Sequence, residues 1–163
     1  MKTGNIIAIA GIGYVLYEIG KEKYNDFSLG FKDSLDMIEY EIQGVSNVDI
    51  SFSQKPKVTF NMDLKVINPS ETDFTASGGG LINLKKIDVL SQSYNLLATV
   101  KPNMTELDLP PNGSTVLEDL PVEIPVSKLG NLLDSFITGL DVDKNQFNLR
   151  LKVVVAGNEF VID

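Results

Sequence analysis

Cysteine, histidine and tryptophan are all missing from this 163-residue chain. Without cysteine there is no disulfide and no thiolate chemistry. Without histidine a serine nucleophile has no imidazole to activate it, and no lysine-based motif stands in its place. Also missing is an uncharged apolar run of bilayer length. From Ile6 to Tyr17 no residue is charged, but twelve helical residues reach only about 18 Å against a hydrocarbon core of about 30 Å. Counting from Gly4 to Ile19, with Glu18 among the headgroups, extends the reach to about 24 Å.

Phosphate-binding loops are absent too. Gly11-x-Gly13 lies inside the apolar run, and Gly78-Gly79-Gly80 has neither the lysine nor the following helix that a phosphate cradle needs. Asp141, Asp143 and Asn145 imitate the opening of a calcium loop. Gln146 then stands where glycine makes the turn, and Lys152 where a bidentate glutamate is needed. Of the carboxylate pairs, Glu118-Asp119 would point to opposite faces of a strand, and Glu106 with Asp108 would share a wet face. Asn103-Met-Thr105 and Asn112-Gly-Ser114 fit the glycosylation sequon, which is frequent by chance. No catalytic, cofactor or metal residue is expected, and the chain does not read as an enzyme.

The net charge is −8. In residues 1–35, Lys2, Lys21, Lys23 and Lys32 balance Glu18, Glu22, Asp26 and Asp33, so the remainder carries the whole excess. An acidic body repels phosphate backbones, which excludes nucleic acid as the expected partner.

The greasy opening invites three readings. It can anchor in a membrane, it can be buried in a protein assembly, or it can be a cleaved signal peptide lacking a small-x-small site. The first two make residues 5–19 a contact with a membrane or a hydrophobic protein surface, carried by Ile6, Ile7, Ile9, Ile12, Val15 and Leu16. Tyr24, Phe27, Phe31, Leu35 and Ile38 then step by three or four, which predicts a partly helical stalk over 21–35.

From residue 36 the period becomes two. Ile38, Tyr40 and Ile42, then Val48, Ile50 and Phe52, predict one long strand bulged at Gly44. Val58, Phe60, Met62, Leu64 and Val66 alternate without a break until Asn68-Pro69 stops the strand. In 81–90 the phase slips between Leu84 and Ile87, and a bulge across Lys85-Lys86 would restore it. Tyr94, Leu96, Ala98 and Val100 form the next inward row, and Leu107 and Leu109 a short one. Pro110-Pro111-Asn112-Gly113 marks a turn. Val116, Leu120, Val122, Ile124 and Val126 follow, with Pro121 and Pro125 pointing to a sheet edge. Leu129, Leu132, Leu133, Phe136 and Ile137 predict one helix, capped by Ser127 and closed by Gly139. Phe147, Leu149, Leu151, Val153 and Val155 form the last long strand, before a turn at Gly157-Asn158 and a short strand 160–162. Such spacing predicts a mainly β antiparallel β-sandwich with one short helix, preceded by an N-terminal hydrophobic helix. The expected division is an anchor helix at 1–20, a stalk at 21–35 and the sandwich at 36–163.

The alternating strand ending in Asn68-Pro69, the Pro110–Gly113 turn, the passage LPVEIPVSKLGNLL at 120–133 and NLRLKVVVAG at 148–157 come in an order that resembles a known family. It is the type 2 late embryogenesis abundant domain, also called the water-stress and hypersensitive-response domain, and the resemblance covers about residues 45–163. It implies a Greek-key sandwich of seven or eight strands, similar to fibronectin type III, with a helix and no enzymatic activity. Some plant members carry a membrane helix before this domain. Asn68 and Pro69 match the family motif as structural positions.

Two functions are expected from these features. One is a structural protein anchored by its N-terminal helix in a membrane or protein shell, such as a virion or a cell envelope, with the sandwich binding a neighbouring protein. The other is a desiccation- or stress-protective module, or one that holds an apolar ligand.

Overall fold

Strand β2, Lys57–Ile67, sets the fold. Every second side chain from Val58 to Val66 is buried, while the residues between are only partly exposed because a strand lies on each side. The computed structural model describes residues 31–163 apart from 79, 103 and 140–142. The anchor helix at 1–20 and residues 21–30 of the stalk lie outside the described residues.

Two antiparallel sheets share one apolar core. In the first, β1 (Glu39–Ser51), β2 and β6 (Ser114–Pro125) lie in that order. In the second, the order is β4 (Leu96–Val100), β3 (Ile82–Ser91), β7 (Phe147–Val155), β8 (Asn158–Ile162). The short β5 (Glu106–Leu107) pairs with the start of β3, on the side where β4 pairs with its end. β4 and β5 thus form one edge, interrupted where Pro102 has no N–H to give. β4 also lies against β6, which brings the two sheets together along that side.

The bulge expected at Lys85-Lys86 is present. β3 slips by one residue against β7 between Leu84 and Lys86, and Ile82, Leu84, Ile87 and Val89 all reach the core. β1 is bulged at Gly44 as expected, and again between Ser46 and Asp49, where Asn47 has a positive φ of 53°. Val48 and Ile50 still pack against the core, but β1 ends at Ser51, and Phe52 is 71% exposed rather than inward. β6 carries a bulge that the pattern did not reveal. The register shifts opposite Met62 and Leu64, with Asp119 at φ 53°. The one-residue slip turns Leu117 inward and leaves Val116 37% exposed, which corrects the expected row. Pro121 and Pro125 do sit on an edge strand, since β6 pairs with β2 alone.

Two helices replace the single one expected. α1 (Val126–Leu129) runs straight out of β6, and α2 (Leu132–Gly139) follows after Gly130, whose φ of 51° breaks the chain direction. Ser127 caps nothing. Pro125 occupies the cap position with no side-chain bond, and the first helical N–H, that of Val126, donates to the Pro56 carbonyl at 3.0 Å. Leu129 and Phe136 are buried, but Ile137 is 54% exposed, because two short helices do not present one continuous stripe. Phe136 stacks with Phe60 and Phe147 at centroid distances of 6.0 and 6.4 Å, and Phe60 meets Phe147 at 5.8 Å. Three rings from β2, α2 and β7 fill the space between the sheets here. The last turn uses Ala156 and Gly157, both at positive φ, and Asn158 already belongs to β8.

Candidate functional site

Two places in the fold are candidates for a site: the junction with the N-terminal segment, and a cleft at the other end of the three-stranded sheet.

The junction is built from residues 31–35, a helical turn that leads into β1. Phe31, Leu35 and Ile38 are buried in the common core, so the packing of the sandwich starts by residue 31, ahead of the change of period at 36. Phe31 meets Phe74 at a centroid distance of 5.5 Å, and the Ser34 and Thr72 hydroxyls lie 2.6 Å apart. Gly80 makes room for the ring: a Cβ there would sit 2.6 Å from Phe31 and 2.9 Å from the Asp73 carbonyl. Gly78 and Gly80 therefore serve close approach, Gly78 to Asp73 and Gly80 to Phe31.

Beside the junction, Asn68 is fully buried and hydrogen-bonded on every side. Its Nδ2 donates to the carbonyls of Thr72 at 2.8 Å, Pro110 at 3.0 Å and Leu109 at 3.4 Å. Its Oδ1 accepts from the Ser70 N–H at 3.1 Å and hydroxyl at 2.6 Å. Its own N–H donates to the Gly113 carbonyl at 2.8 Å, and the Asn112 N–H donates to Ser70 at 3.0 Å. One side chain thus ties the end of β2 to the turn before β6. The dipeptide Asn68-Pro69 announced a strand end, but its six-bond hub was not readable from spacing.

The cleft lies where the β1–β2 loop meets the end of β6. It has a volume of about 680 Å³ and is lined by Ser53, Lys55, Pro56, Pro125, Val126 and Ser127, with the Lys57–Glu123 ion pair (2.7 Å) on its wall. Pro56, Pro125 and Val126 make it largely apolar. Phe52 is exposed in the same loop.

Of the polar candidates from the sequence, Asp119, Asp143 and Asn145 make bonds within the fold. Asp143 accepts from the Asn145 N–H at 2.9 Å and Nδ2 at 2.8 Å, which caps a turn of 3-10 helix at Lys144–Gln146. Asp141 lies outside the described residues. Glu118 and Asp119 are both exposed, because the bulge breaks their alternation. The Asp119 N–H donates to Asp63 at 2.8 Å, and its carboxylate accepts from Asn61 at 3.2 Å. Glu106 and Asp108 are exposed. Among the described residues no three acidic, histidine or cysteine side chains are grouped to hold a metal.

The residue that sequence reasoning missed is Asp88, on the outer face of β3 and only 8% exposed. Lys86 Nζ donates to both its oxygens, at 3.1 and 2.8 Å, and the Thr99 hydroxyl donates at 2.7 Å. Burial opposes its ionisation, but the bonds from Lys86 and Thr99, with the charges of Lys86 and Arg150, outweigh burial and hold its carboxyl below the ordinary range. Every oxygen is engaged by neighbours of its own sheet, so it braces β3 against β4.

The anchor residues Ile6, Ile7, Ile9, Ile12, Val15 and Leu16 lie outside the described residues. No helix among those described is long and apolar enough to cross a membrane. No family model matches the chain, and no curated protein matches its sequence.

Proposed function

We propose that this is a non-enzymatic structural protein. Its N-terminal apolar segment is held in a membrane or a protein shell, as in a virion or a cell envelope, and its sandwich contacts a neighbouring protein. The observation that carries this reading is the junction. Phe31 and Leu35 are locked into the core, so the chain arriving from the N-terminal segment is fixed to the body from residue 31 onward. A loose tether would not need a buried ring and a glycine cut to receive it. The finer architecture belongs to the same reading: a Greek-key sandwich of the fibronectin type III kind.

The test uses the full chain and the variant Ile9→Asp/Ile12→Asp. The wild type is expected to float with lipid vesicles or to sediment as an assembly, and the variant to stay soluble with an unchanged melting temperature. A wild type that remains monomeric without detergent and ignores vesicles overturns the anchor.

The cleft supports a second reading, a stress-protective or apolar-ligand module like the type 2 late embryogenesis abundant domain. The three stacked rings occupy the space between the sheets, so a ligand would use the outer cleft. Bound lipid in native mass spectra, or protection of a client enzyme through drying, favours this reading; a bare protein that protects nothing defeats it.

A further inference from the structure

We propose that the cleft receives the apolar segment 5–19 of a second copy of this chain, so that copies join head to tail; the inference rests on the anchored-structural reading and names the neighbour. Three observations lead there. The uncharged run from Ile6 to Tyr17 spans only about 18 Å as a helix, too short for a bilayer core of about 30 Å, so it needs protein to cover it. The cleft offers an apolar wall and about 680 Å³, within the range that holds inserted side chains. The two features also lie at opposite ends of the three-stranded sheet. The segment leaves from Phe31, beside the Ile67 end of β2, while the cleft opens beside its Lys57 end. The 11 residues of β2 separate these ends by about 33 Å.

Charge agrees with this occupant. Glu18 is the first charge after the run. Lys55 lines the cleft and Lys128 follows Ser127, and neither is in an ion pair among the described residues. A run that enters the cleft brings Glu18 toward two free cations on an otherwise acidic body. A contact between different surfaces of identical copies repeats along a row, and it closes into a ring only if the rotation permits.

The experiment places a photo-crosslinking residue in the full chain, Ile12→p-benzoylphenylalanine, and mixes isotopically light and heavy copies with and without phosphatidylcholine vesicles. Crosslinks from position 12 to 53–57 or 125–127 of the other isotope support the proposal. Crosslinks confined to one copy overturn it, since the segment then folds back on its own body. Crosslinks to lipid alone overturn it and leave the anchor standing, whereas crosslinks to neither protein nor lipid overturn both. In parallel, the cleft-filling pair Ser53→Trp/Ser127→Trp should raise the concentration at which the full chain assembles by tenfold or more. Unchanged assembly in a variant that melts like the wild type also overturns the proposal.

Discussion

The two ends of the three-stranded sheet are closed by different chemistry. At the Ile67 end, Asn68 satisfies four carbonyls and donors of loops that would otherwise be buried unpaired. At the Lys57 end, Phe60, Phe136 and Phe147 close the interior by ring contact, and the outside of that end remains apolar at Phe52 and Val126. Hydrogen bonds specify one loop arrangement, because each wrong pairing leaves a buried polar group unpaired. Ring packing specifies volume and leaves a surface that tolerates new contacts. The end from which the N-terminal segment leaves is therefore the determinate one, and the end proposed to receive a partner is the adaptable one.

The contrast can be broken in order of expected effect. Phe60→Ala should cost about 3–5 kcal/mol in denaturant unfolding, the most of any single change considered, because it removes a ring fully surrounded by two others. Asn68→Ala should cost about 2–4 kcal/mol and leave the Ser70 and Thr72 groups unpaired. If Asn68→Ala proved as mild as a surface change, the polar lock would be an illusion. Gly80→Ala should cost about 1–3 kcal/mol and speed hydrogen exchange in 31–38 before that in β2, since the added methyl displaces Phe31.

Asp88→Asn serves as a control on the other sheet, with an expected cost near 1 kcal/mol at neutral pH. The folded carboxyl titrates below its unfolded value of about 3.9, so its contribution is present above that pH and fades as pH falls through the folded pKa. The difference between variant and wild type should shrink in acid; a pH-independent difference would refute the assigned cause. Smallest is Gln146→Leu. Its Oε1 is buried with no partner, so the change should be neutral or stabilising by up to about 1 kcal/mol in a thermal melt.

Much of the architecture was legible because burial in strands follows parity. The unbroken row from Val58 to Val66, the slip at Lys85-Lys86, the bulge at Gly44 and the edge prolines of β6 all lie where the pattern puts them. The misses have local causes. Val116 was assigned by extending a parity through a bulge at Asp119 that carries no glycine to announce it. Phe52 lies just past the end of β1, and the expected inward row at Tyr94 and Leu96 is corrected: Tyr94 sits in a turn at φ 61°, both are exposed, and Leu97 is buried instead. Ile137 was assigned by extending a helical stripe through Gly130. Asn68, Gly80 and Asp88 act through partners distant in sequence or across strands, and no local spacing encodes those. The cleft joins the β1–β2 loop to the β6–α1 junction about seventy residues later, which is equally invisible to a periodic reading.

Tyr40 carries a last consequence. β8 pairs with β7 only from Leu151 to Val155, so Leu149, paired with Val89 of β3 on one side, has no strand paired on its other side among the described residues. The Tyr40 hydroxyl donates to the Leu149 carbonyl at 2.8 Å and accepts from its N–H at 3.4 Å, a phenol doing the duty of a missing strand. With β1 bulged twice, β6 carrying prolines and the β4–β5 edge interrupted, three of the four sheet edges among the described residues are blunted against backbone pairing. In the head-to-tail row proposed above, copies would then meet through side chains and the apolar segment rather than through an added strand.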